Sequence, residues 1–264
     1  MYEEEMRAAL DDLPLSALRV YEQIGSTNLE AFRWAEHGAE DLSLVVADEQ
    51  TAGRGRMQRA WYTPPGAALA FSLVLRRPAA RNVERLTALG ALAVCQALRQ
   101  DYHLAAEIKW PNDVLLERCK AAGVLVEAIW QGERLEAAVL GVGVNVAPAA
   151  VPGKERLAYP ATSVESVYGK QVSRPALLRA ILEQFLAWRL KLDSPEFLQA
   201  WERWLAFRGE WVIALERERP VHEGQLLGLE EDGALRLRDR SGRIFTLHGS
   251  EIRLRLLKNR ADDR

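Results

Sequence analysis

The sequence predicts an α+β fold on three observations. Strand and helix signals alternate between residues 17 and 50, β-rich apolar runs fill residues 107 to 146, and from Gly209 short strands are punctuated by turn dipeptides. The first two build a sheet flanked by helices. The third has the spacing of a small antiparallel barrel.

The elements follow in chain order. Val20 and Ile24 sit among strand formers in residues 17–25, residues 27–37 carry a helical pattern, and Leu44-Val45-Val46 makes 43–50 a strand. Ala67 to Leu75 is a further apolar run, and Leu86, Leu89, Ala93 and Ala97 recur at helical spacing, which predicts a core-facing helix over 83–99. The segments 123–127 and 139–146 read as central strands, and the Pro/Ala/Gly-rich stretch from Ala147 to Gly153 reads as a loop. Leu178, Ile181, Phe185 and Trp188 mark an amphipathic helix with Pro175 in its first turn, where a missing N–H costs nothing. A second helix is expected over 195–206. Asp232-Gly233 and Ser241-Gly242 separate the strands of the tail. The change of pattern places a boundary near residue 208, dividing a unit of residues 1–208 from one of 209–264.

Composition narrows the function classes. With 48% hydrophobic and 27% charged residues the chain is an ordinary globular protein, and its net charge of -2 gives no general attraction to nucleic acid or membrane. No apolar run reaches the ~20 residues that span a bilayer, and Met1-Tyr2-Glu3-Glu4-Glu5 is too acidic to open a secretory signal, so a cytoplasmic location is expected. Cys95 and Cys119 lack the spacing of a disulfide framework or zinc site. The four histidines are scattered, and no nucleophile elbow is present.

Four segments can carry chemistry. Residues 50–56, QTAGRGR, follow a strand and set Arg54 and Arg56 between Gly53 and Gly55. Glycines let backbone approach a ligand, and guanidinium groups form paired bonds to phosphate or carboxylate. A short GRGR also suits a plain surface loop or an RNA contact. Residues 109–113, KWPND, place Lys109, Asn112 and Asp113 around a proline turn, where the polar groups can orient a nucleotide or hold Mg²⁺. Pro-Asn-Asp is equally a good turn in its own right. Lys120 precedes the apolar strand Gly123 to Glu127, and a lysine entering such a strand calls for an anionic partner unless it snorkels to the surface. Ser26, Thr27 and Asn28 lie at a helix start, and Thr27 with Glu30 satisfies a capping box, whose hydroxyls and amide are also donors for a polar ligand.

Taken together, GSTN at 25–28, QTAGRGR at 50–56 with Trp61 behind it, KWPND at 109–113, the Lys120–Glu127 segment and GVGVN at 141–145 resemble the biotin-protein ligases, in order and over about residues 20–260. The resemblance implies a central mixed sheet flanked by helices, akin to class II aminoacyl-tRNA synthetases, with an SH3-like C-terminal barrel. It implies an ATP-dependent ligase that activates biotin as biotinyl-5'-AMP and transfers it to a lysine of a biotin carboxyl carrier domain. Ser26, Thr27, Asn28, Gln50, Gly53, Arg54, Arg56, Lys120, Gly123 and Val124 would then bind biotin. Arg54, Arg56, Trp61, Lys109, Asn112, Asp113, Lys120 and Asn145 would bind ATP and the adenylate, with Asp113 and Asn145 as Mg²⁺ ligands. Lys120, Arg54 and Arg56 would be the catalytic cations, and Glu251 and Arg255 would reach in from the barrel.

Two departures accompany the match. Many relatives carry glycine near Gln58, and only about twenty residues precede the first motif, too few for a winged-helix repressor domain, so DNA binding is not expected. A homodimer joined through sheet edges is a further implication. The rival readings are a lipoate ligase, a nucleic-acid-binding module built on GRGR, and a barrel that binds proline-rich peptides. None accounts for the ordered motifs.

Overall fold

The computed structural model describes residues 2–78, 83–153, 155, 157, 159–249 and 252–257. Two sheets form the frame. The first has the strand order β1-β2-β3-β7-β6-β5-β4, built from β1 (Ala17–Ile24), β2 (Ser43–Gln50), β3 (Ala68–Arg76), β4 (Glu107–Lys109), β5 (Asp113–Leu116), β6 (Cys119–Gln131) and β7 (Arg134–Asn145). Only β1 and β2 run parallel, so the sheet is mixed.

Side chains alternate across this sheet, and each face has a different fate. Leu44, Leu73 and Leu140 are in register on one face and pack under α3 (Val83–Gln100) and α5 (Arg174–Arg189). The expected core-facing stripe of α3 is confirmed, but the helix is buried on nearly every side because α5 covers its back. Gly90 lets α3 approach the sheet closely: a Cβ there would lie 2.9 Å from Val124 Cγ1. On the other face, Val45, Val74 and Val139 pack beneath Ala31 and Ala35 of α2 (Thr27–Glu36). Further along that same face the side chains shrink to Ala70, Ser72, Gly123, Gly141 and Gly143. That bare patch becomes the floor of a cavity.

The remaining helices close the ends. Ser173 and Ser194 accept hydrogen bonds from Ala176 N and Phe197 N, capping α5 and α6 (Pro195–Arg203), each with proline in its first turn. A short helix, α4 (Val164–Tyr168), intervenes after β7. The sequence reading missed α1 (Tyr2–Leu10), whose Met6 and Leu10 are buried and which packs on α5 and β1. Three consecutive acids at its start, with Met6 and Leu10 at i, i+4, were the available signal.

The second sheet is antiparallel throughout, in the order β11-β10-β9-β8-β12: β8 (Trp211–Glu216), β9 (Arg219–Leu229), β10 (Leu235–Arg238), β11 (Ile244–Leu247) and β12 (Ile252–Leu256). The expected barrel is not shown closed, because β11 and β12 stand at opposite edges. One hydrophobic cluster runs from α3 through Trp201, Leu205 and Phe207 into Val212, Leu226 and Leu254, so both sheets share a core. Trp110 reinforces the junction: it is buried, precedes a cis bond to Pro111, and donates its indole N–H to Gly233 O at 3.1 Å. Among the described residues no helix is long and apolar enough to cross a membrane.

Candidate active site

A cavity of about 660 Å³ opens over the bare end of the first sheet, within the size range of small-molecule sites. Its floor exists because β6 and β7 lack side chains there. A Cβ at Gly143 would lie 2.3 Å from Trp61 Nε1, and one at Gly141 would lie 1.8 Å from Asn28 Oδ1, so only glycine admits these neighbours.

The rim is the loop between β2 and β3, folded back on itself by bridges from Gln50 to Thr63 and from Arg54 to Ala60. Trp61 N donates to Gly53 O at 2.8 Å, which brings the indole over the floor. Arg56 Nη1 donates to Asn112 Oδ1 at 2.7 Å, while Asn112 Nδ2 donates to Val124 O at 3.0 Å. Asn112 therefore pins the loop to the sheet. Burial depresses the Arg56 pKa, with Asp113 opposing the shift and Arg253 adding to it, and its Nη2 is buried without a hydrogen bond. Such an under-satisfied guanidinium favours an incoming anion. Arg54 pairs with Glu127 at 3.2 Å.

Beside Asn112 lies a triad of charges. Asp113 Oδ1 is 2.6 Å from Lys120 Nζ, and its Oδ2 is 3.1 Å from Lys109 Nζ. Burial pushes the Asp113 carboxyl up, but the two ammonium groups outweigh it and hold the acid well below the usual carboxylate range. A depressed carboxyl pKa stabilises the fold above the unfolded value of about 3.9 and loses that contribution only as pH falls through the folded value. The carboxylate is thus charged throughout the neutral range. Burial lowers the Lys109 pKa, Asp113 opposes that shift, and the ammonium lies 4.3 Å from the centre of the Tyr159 ring. Lys120 is the more accessible of the two lysines and lies 5.3 Å from the Trp61 ring.

The biotin- and ATP-binding residues expected from the sequence converge on this one cavity: Ser26, Thr27, Asn28, Gln50, Gly53, Arg54, Arg56, Trp61, Lys109, Asn112, Asp113, Lys120, Gly123, Val124 and Asn145 all line it. Several assignments change in detail. The capping box does not form: Ser26 is the N-cap, the Thr27 N–H is satisfied by Gln50 Oε1 at 2.8 Å, and Glu30 binds Arg19 and Tyr21 instead. Gln50 also donates to Thr63 Oγ1 at 3.0 Å, so its amide is committed to the protein at both ends. Asn28 is similarly held, accepting from Ser72 Oγ at 2.6 Å and donating to Glu127 Oε2 at 2.9 Å. These two shape the cavity wall.

The Mg²⁺ assignment does not fit the residues present. Asp113 is neutralised by two lysines, and among the described residues no three His, Cys, Asp or Glu side chains converge as a metal site. Glu251 lies outside the described residues. Arg255 does line the cavity, as do Arg59, Arg253 and Tyr159, which the sequence reading missed. The two arginines of β12 arrive through an alternating strand pattern that carries no motif.

The departure at Gln58 has a visible counterpart. Met57 and Gln58 both adopt left-handed backbone, with φ of 56° and 58°. Left-handed geometry costs a non-glycine residue about 1–2 kcal/mol and is worst for β-branched side chains. Gln58→Val is therefore expected to open the loop, raising tryptic cleavage after Arg54, Arg56 and Arg59 about tenfold, whereas Gln58→Gly should leave it unchanged or slower. Equal cleavage of the two variants in limited proteolysis would contradict the strain.

Comparison with known proteins agrees with this geometry. Residues 20–145 match the biotin/lipoate A/B protein ligase family. The chain is 39% identical to the biotin--[acetyl-CoA-carboxylase] ligase of Paracoccus denitrificans over 225 residues, 83% of this chain and 92% of that protein. It is 30% identical to the bifunctional ligase/repressor of Bacillus subtilis, covering 96% of this chain and 78% of that one. The biotin protein ligase of Aquifex aeolicus, solved with biotin and ATP, superposes with a TM-score of 0.80 at 28% identity, covering 92% of this chain and all of that one. A glycine-floored, cation-rimmed sheet is thus joined to sequence identity with these ligases over most of the chain, and the protein belongs to the biotin/lipoate A/B protein ligase family.

Proposed function

We infer that the protein is a biotin-protein ligase, which activates biotin with ATP and transfers the biotinyl group to a lysine of a carboxylase's carrier domain. The observation that carries this reading is the meeting of Arg54, Arg56, Lys109 and Lys120 around a floor too bare to be a protein core. The ligands named for the Aquifex enzyme and the activity named for the Paracoccus enzyme support it.

A carboxylate does not acylate an amine at neutral pH until its oxygen is made a leaving group. In the first half-reaction a biotin carboxylate oxygen attacks the α-phosphorus of ATP, the bond to the β-phosphate oxygen breaks, and pyrophosphate departs. Two anions must meet, so preorganised cations rather than a nucleophile are the protein's contribution. We assign Lys120 and Arg56 to the carboxylate and α-phosphate, Arg54 to the closed loop, and Lys109 to the support of Asp113. In the second half-reaction the deprotonated carrier lysine attacks the acyl carbon, the bond to the phosphate oxygen breaks and AMP leaves. Trp61 and the loop keep water from the anhydride.

We extend the proposal to the residue roles given above, the Mg²⁺ ligands excepted, to catalytic and C-terminal units meeting near residue 208, to a homodimer formed through sheet edges, and to a cytoplasmic enzyme without DNA binding. The net charge of -2 supports the last point. The test is biotin-dependent exchange of labelled pyrophosphate into ATP, with lipoate as the rival acid. Exchange with biotin alone is the expected result; exchange with lipoate alone, or with neither acid, overturns the reading.

A further inference from the structure

The loop over the cavity is held from a second direction that the proposed chemistry does not use. A two-residue turn joins β8 to β9, with Glu216 paired to Arg219 and with Arg217 and Glu218 both left-handed at φ 47° and 68°. That turn places Glu218 where it meets both the loop and a strand of its own sheet. Its carboxylate meets Arg59 of the loop at 2.8 Å and also accepts from Arg253 of β12. Arg253 in turn reaches Met57 Sδ at 3.4 Å. Arg253 is well covered, at 15% side-chain exposure, so the partner that Glu218 and Met57 share is fixed rather than waving in solvent.

We propose that Glu218 is a positioning residue, which holds the loop segment 56–59 closed over the cavity from the second sheet. Three observations favour this over a casual surface pair. Glu218 is the carboxylate between two cavity-lining arginines, Arg59 of the loop and Arg253 of β12, whose like charges would otherwise drive the loop off. The contact falls beside Met57 and Gln58, the strained residues that most need an external hold. Finally, Arg59 closes the neck of the loop through its carbonyl, which accepts from Gly55 N at 2.7 Å, so a pull on Arg59 is felt at Arg54 and Arg56. The role of this clasp in retaining an adenylate rests on the ligase reading; its role in closing the loop does not.

The test uses the full chain. Glu218→Gln keeps the turn and removes the charge, and Arg59→Gln removes the same contact from the loop side. Tryptic cleavage after Arg54 and Arg56 is followed without ligand, and escape of biotinyl-adenylate formed in place from biotin and ATP is followed separately. An exposed pair of this kind biases an equilibrium by about fivefold, so Glu218→Gln should speed cleavage and escape by roughly that factor, and Arg59→Gln, which also removes the repulsion from Arg253, by less. The double variant should add little, and wild type in 1 M salt should approach the variants. Melting curves identify a variant that fails to fold, and the other variant then carries the test. Unchanged cleavage in folded Glu218→Gln, or additive effects of the two substitutions, overturns the clasp. Faster cleavage in a protein that makes no adenylate from biotin leaves the clasp standing and removes the ligase reading instead.

Discussion

Lys120→Ala is expected to lower biotin-dependent pyrophosphate exchange by about 10²–10³-fold, the usual loss when one preorganised charge-stabilising group leaves an active site. The structure separates this from a simple loss of folding. Lys120 is one of two ammonium groups on Asp113, so its removal leaves the carboxylate paired with Lys109 at 3.1 Å. The stability cost should stay well below the 3–5 kcal/mol of an uncompensated buried charge. Lys109→Ala is the contrast: at 5% side-chain exposure that lysine is the buried member, and its loss should depress the melting temperature more and the exchange rate less. Exchange kinetics and thermal unfolding on the two variants decide the matter. Equal effects of both on both readouts would show that the triad is one structural unit with no division of labour.

Gly143→Ala should be nearly as damaging to ligand binding. The new methyl would stand 2.3 Å from the Trp61 indole, a separation that real Cβ atoms do not show. The ring must move, and Trp61 N is tied to Gly53 O, so the loop carrying Arg54 and Arg56 moves with it. Overpacking of this kind costs about 1–3 kcal/mol. Because the displaced group is the loop rather than the core, that cost should appear as biotin affinity weakened up to about a hundredfold, with a melting temperature close to wild type. Calorimetric titration with biotin measures it. Wild-type affinity would mean that Trp61 does not rest on Gly143 in the working protein.

Much of this site was legible because its residues are local. QTAGRGR, KWPND and GVGVN each sit at the end of a strand, where side-chain type and spacing declare a turn or a bare strand directly. The pairing of Gly123 with Gly143 then follows from sheet register, which no single segment reveals. What the sequence concealed is long-range. Arg253 and Arg255 look like the outward positions of an alternating strand, and only the packing of the second sheet against the first brings them to the cavity. Glu218 reads as one more charge in Glu216-Arg217-Glu218-Arg219. The capping box failed for the same reason: a local pattern at Thr27 lost to a partner 23 residues away, Gln50, whose carbonyl oxygen was better placed for the N–H. Likewise α1 is placed by distant partners, with Met6 and Leu10 buried against α5 and β1 and Arg179 of α5 donating to Ala9 O and to Asp12.

The Lys109–Asp113–Lys120 triad has a consequence for turnover. Before any substrate arrives, both ammonium groups have already shed much of their water and share an internal counterion. In the reaction proposed above, an arriving phosphate or carboxylate would trade places with Asp113 at Lys120 instead of stripping a hydrated cation, and a departing AMP would hand that cation back to the aspartate. Binding and release then exchange one anionic partner of Lys120 for another, with Asp113 still held by Lys109.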